Sequence, residues 1–176
     1  FAVLKYISEH LDLRRISKIL LTSSHDIYSK KTFRHVKVLT EHNSVRSIVD
    51  FKKVNNTRHI NKYFETINSI LPDAGIYIGC VESNRQRNIR VHGNKKKFIR
   101  QPIVLGEFFI HRVIPKLKYL NKLYFKITKG KYRFLSTAET LGRLVSCGFE
   151  IIEYKTIRNL TYFVVMKTRN PHFDKK

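Results

Sequence analysis

Glycine is missing from the first 74 residues, cysteine occurs only twice in 176, and acidic residues number 13 against 35 lysines and arginines. Each shortage excludes something. With no glycine before Gly75, the first strand cannot be followed by a glycine-rich ligand cradle, where a side chain would block close approach of the backbone. Cys80 and Cys147 lie far apart, each inside an apolar segment. They make no disulfide framework and fit reduced thiols in a cytosolic setting. Neither has a cysteine neighbour, and the eight histidines show no metal-ligand spacing, so no metal is expected; the missing glycine cradle likewise leaves no cofactor expected. No segment approaches the roughly 18 uninterrupted apolar residues of a spanning helix. The start, Phe1 to His10, carries Lys5 and Glu9 and lacks a signal-peptide layout. It also lacks an initiator methionine, so we expect further chain upstream.

What is present suits a single α/β domain. A hydrophobic content of 42% is too high for wholesale disorder. A chain of this length can bury a real core. The scarcity of acids leaves a net charge of +22. That points to an anionic partner, whether nucleic acid, a membrane surface or a phosphorylated substrate. The charge is uneven: between Arg85 and Arg133 there are fifteen lysines and arginines and one acid, Glu107.

The stretch Val54 to Glu82 organises the chain. Ile60, Phe64, Ile67 and Leu71 recur at helical spacing, and Asn55 or Asn56 offers a cap for the first turn. Pro72-Asp73-Ala74-Gly75 stops the helix, and Ile76 to Glu82 reads as a strand buried on both faces. A helix, a tight turn and a buried strand make half of a βαβ unit. Upstream, Val3 to Leu13 fits a short amphipathic helix, Ile19 to Thr22 a buried strand, Val36 to Leu39 a second and Ser47 to Phe51 a third. Downstream, Asn84 to Arg100 reads as a polar, mobile loop. Ile103 to Thr128 is aromatic-rich, basic and amphipathic, with Pro115 expected to kink or split it. Ser136 to Glu139 is a capping box that opens a helix ending at Gly148. Phe149–Tyr154 and Thr161–Thr168 form a hairpin around Arg158-Asn159. The expected organisation is one domain over residues 1–170, a basic amphipathic insertion at about 84–133, and a linker or tail at 171–176.

Few side chains stand out for chemistry. Asn56, Arg58, Asn61 and Glu65 form a polar set near the expected carboxyl edge of the sheet, where open α/β sheets bind ligands. Cys80 and Glu82 end the central strand beside them. The plainer reading of the four is capping and surface pairing, and that of Cys80 is a buried structural thiol. Glu139 and Arg143 stand at i and i+4 as a helix pair. Lys95, Lys96, Lys97, Arg112, Lys116, Lys118, Lys122 and Lys126 are candidates for contact with a membrane or another anion.

The order of strand, helix, proline-glycine turn, strand, capped helix and hairpin resembles the second half of the Rossmann-like class I methyltransferases. Their glycine-rich cofactor loop has no counterpart in Thr22-Ser23-Ser24-His25-Asp26. A second resemblance is carried by Asn55-Asn56-Thr57-Arg58-His59-Ile60-Asn61-Lys62-Tyr63-Phe64-Glu65, Gly79-Cys80-Val81-Glu82 and His111-Arg112-Val113-Ile114-Pro115-Lys116. Thr128 to Lys131, Ser136 to Leu144 and Ser146 to Glu150 extend it. These segments resemble the N-terminal, methyltransferase-like region of Bacteroidetes-type exopolysaccharide sugar transferases, related to polyprenyl-phosphate sugar-1-phosphate transferases. The resemblance spans about Ile7 to Asp174. In that family the catalytic segment follows a junction like Asn170 to Asp174, and none of its motifs occurs here.

The resemblance therefore implies an accessory, non-catalytic domain at the cytoplasmic face of a membrane. Its partners would be anionic lipid, the following catalytic sugar transferase domain or a second copy of itself. Two alternatives remain. One is an S-adenosylmethionine-dependent methyltransferase with a degenerate cofactor loop. The other is a nucleic-acid-binding module, suggested by Phe98, Tyr119, Tyr124 and Tyr132 among the basic residues but without a recognised motif.

Overall fold

The computed structural model describes residues 2–11, 19–22, 45–57, 59–93, 97–114, 117, 124, 126–127 and 133–170. Five strands form one mixed sheet: β1 (Ile19–Thr22), β2 (Ser47–Lys53), β3 (Ile76–Val81), β4 (Phe149–Ile157) and β5 (Leu160–Lys167), in the order β1-β2-β3-β5-β4. The first three run parallel, and the hairpin β4–β5 returns antiparallel with β5 inserted against β3. This is a mixed α/β sheet with flanking helices and an antiparallel hairpin at its C-terminal end. The strand expected at Val36 to Leu39 lies outside the described residues.

The buried strands alternate strictly, because successive side chains point to opposite faces. Ile48, Tyr77, Phe163 and Val165 face one layer with α2 (Ile60–Ile70) and α5 (Thr137–Ser146). Val49, Ile78 and Val164 face the other, where α1 (Ala2–His10) contributes Tyr6 and Ile7, followed by Leu11. Helices on both faces explain why Ile76–Val81 carries no polar residue.

Helix α2 supplies the crossover between β2 and β3, and it buries Ile60, Tyr63, Phe64, Ile67 and Ile70. Phe64, Tyr77 and Phe163 meet edge-on with centroids 5.6–6.5 Å apart, an arrangement that suits the ring quadrupoles. Gly79 lies under this cluster. A Cβ there would approach Phe163 Cζ to 2.6 Å, so the ring occupies the space a side chain would need. In the turn before β3 the left-handed residue is Ala74 (φ 57°), and the Gly75 amide donates to the Pro72 carbonyl at 2.9 Å.

Two expectations need correction. A 3-10 turn, Val54–Asn56, intervenes before α2, and His59 takes the cap position without capping it through its side chain. Asn55 is therefore not a helix cap; it is buried and braces other elements. The supposed loop after Glu82 is instead α3 (Asn84–His92) followed by α4 (Lys97–Phe108). Ser83 and Gln86 form a reciprocal capping box that starts α3 despite its polar composition. Beyond α4 the chain opens into a π-helical turn, Phe109–Val113, so the regular helix ends before Pro115 is reached.

Candidate functional site

Parallel strands end together at their carboxyl edge, and here β2 and β3 deliver a concentrated set of polar groups to that edge. Asn55 is the keystone. Its Nδ2 donates to the Glu82 and Arg133 carbonyls at 2.8 and 2.9 Å, and its Oδ1 accepts from the Glu82 amide at 2.8 Å. The Arg133 amide donates back to the Asn55 carbonyl at 3.0 Å, and Ser83 pairs with Leu135. One side chain thus fixes the end of β3 to the segment that leads into α5.

Glu82, set by that brace, is buried yet charged. Its carboxylate accepts from Lys53 Nζ at 2.8 Å and from Arg90 Nε and Nη2 at 2.5 and 3.2 Å. Burial alone would raise its pKa. The hydrogen bonds from Arg90 and Lys53 outweigh that and hold it below the ordinary glutamate value. Asp50, one strand away, is the opposite case. It accepts from the Tyr63 hydroxyl at 2.5 Å and from the Lys52 amide at 2.8 Å, but burial dominates and raises its pKa. Its charge and the burial of Tyr63 together push that phenol well above its usual range, burial being the larger cause.

Above these groups lies a cleft of about 380 Å³, lined by Phe51, Lys52, Lys53, Asn56, Glu82, Arg90, Asn159 and Leu160. The end of β2 with its 3-10 turn, Glu82 just past β3, Arg90 in the last turn of α3 and the tip of the β4–β5 hairpin build it. Of the sequence candidates, Asn56 and Glu82 line this cleft. Cys80 sits behind it within β3, its Sγ–H directed at the Phe51 carbonyl at 3.6 Å. Burial, with the charge of Asp50 added, pushes the Cys80 thiol up to about 12, so the structure gives it the character of a core thiol. Asn61 and Glu65 are not part of the set. Asn61 Oδ1 accepts from Arg143 Nη1 at 2.7 Å on the seam between α2 and α5. Glu65 acts near Cys147, whose thiol is pushed up to about 11 by burial first, with the Glu65 charge a smaller contribution in the same direction. Arg58 lies outside the described residues.

Lys52, Lys53, Asp50, Asn55 and Arg90 are the site residues that sequence reasoning missed. The pair Lys52-Lys53 directly after an apolar strand was a usable signal, whereas Arg90 fell in a segment read as loop. Of the anion-contact candidates, Lys126 is exposed. Lys97 opens α4 and Arg112 lies in the π-helical turn. Lys95, Lys96, Lys116, Lys118 and Lys122 lie outside the described residues. Among the described residues no cluster of histidine, cysteine or carboxylate fits a metal ion, and no helix is long and apolar enough to cross a membrane.

No protein-family model and no curated protein matches the chain. Among solved structures, it resembles an S-adenosylmethionine-dependent methyltransferase from Mesorhizobium loti at 9% identity and TM-score 0.42, covering 70% of this chain and 62% of that one. A SAM-dependent methyltransferase from Methanosarcina mazei matches at 13% identity and TM-score 0.40, over 71% and 60%. A SAM-dependent methyltransferase from Thermotoga maritima, described as a possible histamine N-methyltransferase, matches at 12% and 0.41, over 86% and 73%. The chain thus spans about three-fifths of the length of the first two. Likenesses of this size assign no activity.

Proposed function

We propose that this chain is an accessory domain on the methyltransferase-like fold, seated against an anionic membrane surface beside a sugar-phosphate transferase of surface polysaccharide synthesis. The observation that carries the membrane part is the outer surface of α4 and the turn after it. Leu105, Phe108 and Phe109 stand at i, i+3 and i+4, so they share one side of the helix, and Leu105 is 71% exposed. Ile110 and Ile127 are exposed as well. Apolar side chains among fifteen cations and a single acid are what an interfacial segment offers: the apolar face enters the headgroup boundary while the cations meet anionic lipid. Each lysine or arginine near such a surface contributes roughly 1 kcal/mol. The family part rests on the sequence resemblance alone.

Co-sedimentation with neutral and with anionic vesicles tests the reading. Binding to anionic vesicles only, abolished when Lys116, Lys118, Lys122 and Lys126 are all changed to glutamate, is the expected result. Equal pelleting with both vesicles, or with neither, would remove the membrane role.

A second reading is favoured by the sheet itself. Its strand order and the open cleft beside Asp50 at the carboxyl edge are compatible with an S-adenosylmethionine-dependent methyltransferase whose cofactor loop is degenerate. Titration calorimetry with S-adenosylmethionine and S-adenosylhomocysteine decides it. Saturable binding of either would establish a cofactor site despite the lack of glycine before Gly75, and silence with both would reject it.

A further inference from the structure

We propose that the cleft between Phe51, Lys53, Asn56, Arg90 and Leu160 binds a phosphate ester: a small molecule carrying one or two phosphates on a ring or chain. This goes beyond the membrane reading, since the cleft lies at the sheet edge and not on the exposed side of α4.

Charge is the first argument. Lys52, Lys53 and Arg90 line the cleft against one carboxylate, Glu82, which leaves an excess of two positive charges for a dianion to meet. Preorganisation is the second. The Glu82 side chain is only 7% exposed, against 30% for Lys53 and 46% for Arg90. Glu82 therefore works from beneath, holding both cations at the cleft wall while part of each still faces the opening. Arg90 meets Glu82 through both Nε and Nη2, which fixes the plane of a guanidinium that stays 46% exposed at the cleft. Asp50 acts on Lys52 only from outside the cleft, because its carboxylate turns to Tyr63 and the Lys52 amide and does not line it.

The remaining walls argue for an organic ester over inorganic phosphate alone. Phe51 is 41% exposed on β2, and Leu160 stands with it on the same cleft. Together they offer an apolar platform for a ring or chain, with Asn56 also on the lining. A volume of about 380 Å³ admits a small organic phosphate. The place is the carboxyl end of parallel strands, where open α/β sheets hold their ligands.

Titration calorimetry of the whole chain with pyrophosphate and with phenyl phosphate, at roughly 0.15 M salt to suppress diffuse attraction, tests the proposal. Vesicles of phosphatidic acid form a third arm and separate a lipid headgroup from a soluble ester. Saturable one-to-one binding of a soluble probe is expected. The double change Lys52→Ala with Arg90→Gln should weaken it at least about tenfold, with the melting curve checked in parallel. Phe51→Ala touches no ion pair and guards against a misfolded double variant. It should weaken phenyl phosphate while leaving pyrophosphate unchanged.

Lys5→Ala with Lys155→Ala, in a second basic cleft beside α1, is the control and should leave affinity intact. Binding confined to phosphatidic acid vesicles and lost in the double variant would keep the site and assign it to a lipid headgroup. No saturable binding in any arm would overturn the proposal. So would losses of equal size in the double variant and the control, since those report net charge and not a site.

Discussion

The sheet with its helices α2 and α5, and the segment from α3 to the π-helical turn, treat their apolar and polar groups in opposite ways. In the sheet and the helices α2 and α5, most large apolar side chains are sealed, with Phe51, Val145, Ile152 and Tyr154 the exposed exceptions, and buried polar atoms are spent on braces. Asn68 Nδ2 donates to the Cys147 and Arg169 carbonyls, and Lys167 Nζ, though buried, reaches the Leu71 carbonyl at 2.8 Å. In α3, α4 and the π-helical turn, large apolar side chains face outward. A few polar links tie these helices together and to the body: His92 to Glu107 at 3.2 Å, Arg87 to Glu107 at 3.5 Å, and Gln86 to Thr161 at 2.9 Å. The contrast teaches that one part is specified by its own packing, while the other presents apolar surface that stays exposed among the described residues. Substitutions can test that division directly.

The largest effect belongs to the centre of the sealed part. Phe163 is fully buried on β5, edge-on to Phe64 and Tyr77 and seated over Gly79. Phe163→Ala should cost about 3–5 kcal/mol, because the rings around it are anchored to separate elements and cannot collapse into the void. Denaturant unfolding measures it, and a loss below about 1 kcal/mol would mean the core is far more plastic than this geometry allows.

Asn55→Ala comes next. It removes three hydrogen bonds at once and strands the Glu82 amide at the end of β3, a loss of about 2–3 kcal/mol. Because the same brace positions Glu82, this variant should also lose phosphate-ester binding, which Phe163→Ala should retain wherever it is still folded.

Glu82→Gln should act through pH. The folded carboxyl has a pKa below its unfolded value, so its contribution to stability is present above the unfolded pKa and fades as pH falls through the folded one. Asp50 contributes with the other sign: its raised pKa favours the fold at low pH, and that contribution is lost as pH rises through it. The wild-type acid limb is therefore the difference of the two. Removing Glu82 should flatten it, as measured by melting temperature from neutral to acidic pH. An unchanged acid limb would show that Glu82 is not held by its two cations in solution.

The same division governs what could be read from sequence. The sealed half was legible because its signals are local and redundant: helical spacing from Ile60 to Leu71, an unbroken apolar run from Ile76, and Ser136 three residues before Glu139. Its strand pairing also followed, since a hairpin must return antiparallel. The braces were not legible. Asn55 looks like a helix cap from its neighbours, and only the arrival of Glu82 and Arg133 from 27 and 78 residues away gives it its role. The cleft was half visible: Asn56 and Glu82 were marked, whereas Arg90 was hidden by a composition that suggested loop. Ser83 and Gln86 carried the correcting signal, for a capping box starts a helix even where few apolar residues follow.

The smallest effect on stability, and the most informative for the comparison, belongs to Leu105→Asp with Phe109→Asp. Both side chains are more than half exposed, so folding removes little of their surface from water. The double variant should unfold within about 0.5 kcal/mol of the wild type. Yet placing two carboxylates on the face proposed to meet anionic lipid should abolish vesicle binding, since it removes the apolar insertion and adds repulsion. A variant that is stable and no longer sediments would locate the membrane contact on α4. One that loses several kcal/mol would mean this face is packed against the protein after all, and the division between a sealed half and an open one would fail.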